Sequence, residues 1–345
     1  MNDQALDNVP SMEQPVNFDF SRIDAPKPDE NFGLFKVKPA NEWIDEAKNR
    51  PVPRMLFDCL WFEGELCILF ADTNLGKSIL AVQIADSISK GRPIPRFRLE
   101  ANRQPVIYLD FELSDKQFEA RYSDNFTNHY RFDDNLLRVE INPDADISDG
   151  FTFEEMLNAS LEQAIIETVA KVLIVDNLTY LREGTEKAKD ALPLMKQLKS
   201  LKSKCNLSIL ALAHTPKRVL SNPLTRNDLQ GSKMLINFCD SAFAIGESFK
   251  DKRLRYIKQI KQRNCEAVFD ADNVAVCEVT KPDNFLHFSF IEYGKEKDHL
   301  RDFTEDERGD LIEQAKQLRD GGLSQREIAD RLKVSVGTIN NYLKS

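Results

Sequence analysis

From about residue 41 the chain alternates between two hydrophobic periods. Short, nearly continuous apolar runs at Glu65–Phe70, Val106–Asp110, Leu136–Ile141, Val172–Asp176, Ser208–Ala213 and Ser241–Ile245 predict strands. The stretches 77–90, 114–128, 152–170 and 190–204 lie between the earlier ones and predict helices. Strands apolar on both faces, separated by helices, predict an α/β fold with a buried parallel sheet. Leu254–Ile260, Val274–Val279 and Phe285–Ile291 have short connections and read as antiparallel strands extending one edge. Residues 292–303 are polar and read as a linker, and 304–345 are helical throughout. Residues 1–40 read as a disordered acidic tail. The first 30 residues hold seven acids, two bases and four prolines, too little apolar surface to offset the entropy of ordering.

Composition narrows the class. A chain of 345 residues suggests about two domains. Its 47 basic and 56 acidic residues give a net charge of −9, so the chain as a whole is no basic nucleic-acid glue. No apolar run approaches the roughly 18 residues that cross a bilayer, and the first residues lack the pattern of a secretory signal. A cytoplasmic protein with no membrane partner is expected. The six cysteines are scattered without a CxxC pair, which argues against zinc-ribbon and thioredoxin chemistry.

The strand Glu65–Phe70 runs into Ala71-Asp72-Thr73-Asn74-Leu75-Gly76-Lys77-Ser78 and then a helix. This is the phosphate-loop pattern GxxxxGK[ST] with Ala71 in place of the first glycine. Backbone N–H groups of 74–78 can cradle phosphates at a helix N-terminus. Lys77 would reach the β- and γ-phosphates of ATP, and the Ser78 hydroxyl would hold Mg2+. Ala71 fits only if its backbone avoids positive φ.

Lys171–Asp176 is an apolar strand ending in an acid, the Walker B pattern, so Asp176 would meet the metal through water. Val106–Asp110 ends in Asp110-Phe111-Glu112, with both acids on one face. Ser208–Ala213 leads into His214, placed to contact a γ-phosphate. Ile257–Asn264 carries Lys261 and Arg263 on one side of a strand, where a basic solvated edge is the alternative.

FADTNLGKS, YLDFEL, LIVDNL, LALAHTPKR, LQGSKMLINFCDSAFAIG and IKQIKQRN together resemble the RecA-like ring ATPases. The nearer likeness is to plasmid RepA-type hexameric helicases, with a more distant one to DnaB. The resemblance covers about 41–291 and implies a RecA-like P-loop core, ATP hydrolysis with Mg2+, a homo-hexameric ring and single-stranded DNA in its channel. It implies Glu112 as the residue that polarises water, Asp110 being second choice, since Asn177 follows Asp176. It also implies that Lys261 and Arg263 reach the neighbouring subunit's γ-phosphate. Pore loops at about 178–190 (Arg182, Lys187, Lys189) and 215–230 (Lys217, Arg218, Arg226) would track DNA phosphates.

Residues 323–345 have helix-turn-helix spacing. Ser324 and Glu327 form a capping box for a helix to about Leu332, and Ser335 caps a second. Leu323, Ile328, Ala329, Leu332, Val336, Ile339, Tyr342 and Leu343 are the expected core. Ser335, Gly337, Thr338, Asn340, Asn341 and Lys344 would face duplex DNA. A bundle that contacts protein is the alternative. The overall expectation is a ring-forming, ATP-hydrolysing DNA motor, a replication helicase of a plasmid or mobile element. An ATP-switched DNA-binding regulator or loader without unwinding is the other reading.

Overall fold

The computed structural model describes residues 30–32, 35–146, 150, 152–178, 188–215, 220–229, 232–301, 305–332 and 334–344. The chain divides into two units, Met1–Val52 and Pro53–Ser345. In the first, β1 (Glu30–Phe32) and β2 (Phe35–Val37) pair as an antiparallel hairpin, followed by α1 (Ala40–Lys48). A hairpin therefore forms inside the segment read as a tail to residue 40. The acids and prolines behind that reading cluster before residue 30, while Phe35 and Val37 favour strand. Helix α1 buries none of its residues, and Trp43 and Ile44 are exposed.

The second unit opens with β3 (Met55–Phe57), β4 (Trp61–Phe62), β5 (Leu66–Ala71), α2 (Lys77–Lys90) and β6 (Val106–Asp110). Then come α3 (Asp115–Arg121), β7 (Ser123–Asp124), β8 (Asn128–His129), β9 (Leu136–Val139), α4 (Phe153–Thr168) and β10 (Val172–Asp176). After α5 (Ala188–Cys205), β11 (Ser208–His214) and α6 (Ser232–Phe238) follow β12 (Ser241–Glu247), β13 (Leu254–Lys261), β14 (Val274–Thr280) and β15 (His287–Gly294). One sheet has the order β15-β14-β13-β12-β5-β11-β10-β6-β9. From β12 to β9 its strands are parallel; β13, β14 and β15 are antiparallel. Strand β5 shows how the sheet is built. Cys67, Leu69 and Ala71 join the core under α2, with Leu80, Ile84 and Ile88. Leu66, Ile68 and Phe70 join the opposite core, with Leu161 and Ile165 of α4 and Leu194 and Leu198 of α5. Each such leucine, isoleucine or phenylalanine contributes about 1.5–3 kcal/mol on burial.

Two differences from the sequence reading, and one hairpin that it did not address, have identifiable causes. The helix expected over 114–128 stops at Arg121, because Asn125 and Phe126 take positive φ (49° and 58°) in the β7–β8 turn. The apolar run around Asp58 is a hairpin, turned at Asp58 (φ 43°), whose carboxylate is held by Arg98 at 3.0 Å. The polar stretch 292–303 starts inside β15 and continues as a 3-10 turn, Glu296–His299, with both end residues buried. Buried Lys258 and Ser248 supply partners for Glu296 and His299, so polarity there does not mean exposure.

The C-terminal helices are α7 (Glu305–Asp320), α8 (Gln325–Leu332) and α9 (Val336–Tyr342). Ala315, Ile328, Ala329, Val334, Ile339 and Tyr342 form their core. The Ser324–Glu327 capping box and the Ser335 cap are present. Val336, expected to pack inward, is 43% exposed, because as the first residue of α9, directly after the Ser335 cap, it has no preceding turn to cover it.

Candidate functional site

The phosphate loop lies between the C-terminal end of β5 and the N-terminus of α2. Ala71 is the last residue of β5, hydrogen-bonded in register with His214 of β11 and Ile245 of β12. Positive φ falls instead on Asn74 (64°) and Gly76 (93°), so alanine at position 71 carries no strain. Leu75 is buried and anchors the loop, while Thr73 and Asn74 are exposed. Thr73 donates its backbone N–H to the Asp72 carboxylate at 2.8 Å. The Lys77 ammonium donates to the carbonyls of Ala71 (3.1 Å) and Asp72 (3.3 Å) and lies 3.1 Å from His214 Nδ1. Burial pulls Lys77 below the ordinary lysine pKa, against the charges of Asp176, Glu112 and Asp72.

Three neighbouring strand ends, of β6, β10 and β11, complete the cluster. Asp176 is fully buried, and Tyr108 donates its hydroxyl to Asp176 Oδ2 at 2.5 Å. Burial pushes the Asp176 carboxyl up to about 6, with Ser78 and Tyr108 acting against it. Its Oδ1 makes no hydrogen bond among the described residues. Glu112 accepts a short hydrogen bond from the Asn177 amide and sits 3.6 Å from His214 Nε2. The His214 ring, together with Lys77 and Asn177, holds the Glu112 carboxyl below the ordinary glutamate pKa despite partial burial. Glu112 is therefore ionised at neutral pH. Sequence reasoning missed Asn177 as a partner and Tyr108; the only trace of Tyr108 was one polar tip in an otherwise apolar strand.

Lys261 and Arg263 are not brought to this cluster. Lys261 is in register with Ala242, which pairs with Ile68, three residues before Ala71. Arg263 bonds Asp240, which bonds Leu66 N. Arg263 is thus level with the start of β5, about 17 Å along the strand from Ala71 at 3.3 Å per residue. The Lys261 ammonium is bound to the carbonyls of Ile236 and Cys239. Arg226 is exposed in a short 3-10 turn, Arg226–Asp228, capped by Thr225. Arg182, Lys187, Lys217 and Arg218 lie outside the described residues, as does the side chain of Lys189. In α9, Ser335 accepts from Thr338 N at 2.9 Å and shares a hydrogen bond with the Thr338 hydroxyl, so both side chains serve the cap. Asn341 and Lys344 are exposed and Asn340 is half-buried.

A family model described as "AAA domain" matches residues 35–219. The chain belongs to the AAA-domain family. Residues 35–219 are accordingly the core of an AAA-type ATPase, a nucleotide-hydrolysing domain with the phosphate loop and Asp176 inside the matched span. A second model, "Winged helix-turn-helix DNA-binding", matches residues 318–345 and covers α8 and α9. Among solved structures, the KaiC-like protein PH0186 from Pyrococcus horikoshii OT3 is similar at 12% identity over 66% of this chain and 91% of that one, with a TM-score of 0.45. No curated protein matches the chain. Among the described residues, no helix is long and apolar enough to cross a membrane, and no cluster of three or more His, Cys, Asp or Glu could hold a metal.

Proposed function

We propose that this protein is an ATP-driven DNA motor that works as a ring of identical subunits, a hexamer by its resemblance to the RepA-type helicases. Residues 41–291 would be the motor and 304–345 the duplex reader, acting in the cytoplasm where DNA and ATP meet. One observation carries the reading. Lys77, Glu112, Asp176 and His214 gather beyond the C-terminal ends of the central strands, while Arg263 lies level with the opposite end of β5, out of reach of them. A hydrolysis site that includes Arg263 must borrow it from a second copy.

The residues divide the work as follows. Backbone N–H groups of Asn74–Ser78 cradle the phosphates, and Lys77 turns from its loop carbonyls onto them. Ser78 and, through water, Asp176 would hold Mg2+; the buried, unbonded Asp176 Oδ1 fits that role, and the bound ion supplies charge neutralisation on the phosphates. Glu112, ionised and fixed by Asn177, orients the attacking water. His214 bridges Lys77 and Glu112 and so senses whether the γ-phosphate is present. Arg263 of the adjacent copy, with Lys261 beside it, neutralises the charge that develops in transfer. Single-stranded DNA would run past Arg226, Lys217 and Arg218. Duplex would meet α9 through Ser335, Thr338, Asn340, Asn341 and Lys344.

A second reading, an ATP-switched regulator or loader, is favoured by the winged helix-turn-helix match. Strand displacement on a forked duplex with ATP separates the two. ATP-dependent displacement supports the motor. ATP-dependent change in duplex binding with no displacement would replace it with the regulator.

A further inference from the structure

The segment after β13 is held down residue by residue. Lys261 donates to Ile236 O (2.5 Å) and Cys239 O (2.7 Å). Gln262 donates to Cys59 O at 2.9 Å, and its Oε1 accepts from the N–H groups of Arg263 and Asn264. Asn264 donates to Glu65 Oε1 at 2.7 Å. Arg263 keeps an open side chain, 54% exposed, tethered through Nη1 to Asp240 Oδ1 at 3.2 Å. Asp240 is itself bonded on both sides. Its Oδ2 accepts from Leu66 N and Lys202 Nζ, both at 2.9 Å, and its N–H donates to Leu66 O. Burial works against the Asp240 charge, yet the Leu66 N–H and Lys202 hold its carboxyl below the ordinary aspartate pKa.

This arrangement has a direct consequence for phosphate recognition. A guanidinium offers five N–H donors, and the tether occupies one. The remaining donors belong to a half-exposed side chain whose rotamers the tether restricts. Meeting an anion from that state forfeits less conformational entropy than from a free arginine. The anchoring carboxylate lies at the start of β5, so the arginine is referenced to the strand that carries this chain's own phosphate loop.

We infer that Asp240 is the positioning residue for the arginine this chain presents to a neighbouring copy's ATP. The inference rests on the trans role of Arg263 proposed above. It is tested on the full chain by a kinetic cycle of Asp240→Asn, Arg263→Ala and the double variant, with subunit mixing against Glu112→Gln. Asp240→Asn should lower kcat roughly 10- to 100-fold, the range for one hydrogen bond to a charged group, with KM for ATP unchanged. In the Arg263→Ala background the same change should lower kcat no further. Mixing Asp240→Asn with Glu112→Gln should recover activity, since the latter brings an intact Arg263 to an intact Glu112 site. Asp240→Glu, which keeps the charge, carries the same cycle if Asp240→Asn does not fold. An equal additional loss in the Arg263→Ala background would overturn the inference, because Asp240 would then act through β5. If Arg263→Ala itself kept full kcat, or failed to recover on mixing despite subunit exchange, the trans reading beneath it would fall instead.

Discussion

Arg138 on β9 holds Asp110 on β6, donating from Nε to Asp110 Oδ2 at 2.9 Å. The other oxygen of Asp110 accepts from the N–H groups of Glu112 and Leu113 at 3.1 and 3.0 Å. Both oxygens are thus engaged and the residue is buried, which leaves Glu112 as the carboxylate open to water. Glu112→Gln should bind ATP and hydrolyse it about 10²–10⁴-fold more slowly, the usual contribution of a positioned base. Asp110→Asn should chiefly lower stability, by no more than about 1.5–3 kcal/mol, the worth of one hydrogen bond between charged groups, since Arg138 keeps Leu113 O, Asp115 and Glu140 as partners. Steady-state hydrolysis beside nucleotide-binding titrations checks both. The reverse pattern would make Asp110 the base.

Ala71 and Gly76 answer differently to substitution. Ala71→Gly restores the common loop sequence, yet position 71 is strand with no need of positive φ. It should leave hydrolysis nearly unchanged and cost about 0.5–1 kcal/mol of stability, the penalty for glycine inside a strand. Gly76→Ala forces an alanine to φ 93° and puts its Cβ 2.9 Å from Phe288 Cε2. It should lower the melting temperature and nucleotide affinity together, since the displaced loop is the one that faces phosphate. Retained nucleotide affinity in Gly76→Ala would show that the loop tolerates the shift.

What the sequence made legible follows from how local each feature is. β6 and β10 match expectation to the residue, because a continuous apolar run that ends in an acid has one natural boundary. β9 and β15 lie at the sheet edges, are only partly buried and drifted by two or three residues. The α3 boundary was hidden because Tyr122, where the helix ends, packs on Phe132 and Phe285 from outside it, contacts that the helical period does not show. In the candidate site, Asp176, Glu112 and His214 were readable at the endings of strands and Lys77 at the start of a helix. Tyr108, Asn177, Arg138 and Asp240 were not, because each acts across a strand register or a long chain separation. Tyr108 reaches Asp176 only because β6 and β10 pair in parallel.

The turn that follows β15 should make stability sensitive to acid. His299 is buried, with Nδ1 2.8 Å from the Ser248 hydroxyl and its ring beside Tyr256. Burial, followed by the charge of Lys250, lowers its pKa from the ordinary 6.5, while Asp298 and Glu292 oppose. Below that value the unfolded chain binds the proton that the folded chain refuses. The stabilisation is therefore full above about pH 6.5 and declines as pH falls toward the depressed native pKa. His299→Asn should be less stable at neutral pH but show a flatter decline on acidification. Urea midpoints across that range measure it, and parallel declines for both proteins would place the acid sensitivity elsewhere.

Helix α9 sorts its polar residues by what the cap leaves free. Ser335 and Thr338 bond each other at the N-terminus, whereas Gly337, Asn341 and Lys344 fall at i, i+4 and i+7 on one exposed face. Asn340 sits half-buried beside them. Asn341 is then the strongest candidate to meet a base edge, where an asparagine can pair bidentately with adenine. Asn341→Ala should cost about 1–3 kcal/mol on a selected duplex and little on a scrambled one. Asn340→Ala should cost less on both. Lys344→Ala should weaken both duplexes alike and reduce the salt slope by about one, as expected for a phosphate contact. Fluorescence anisotropy at two salt concentrations separates these outcomes. If Asn341→Ala weakened selected and scrambled duplexes equally, α9 would not read bases. Its exposed face, with Val336 at one end, would then be a surface for protein.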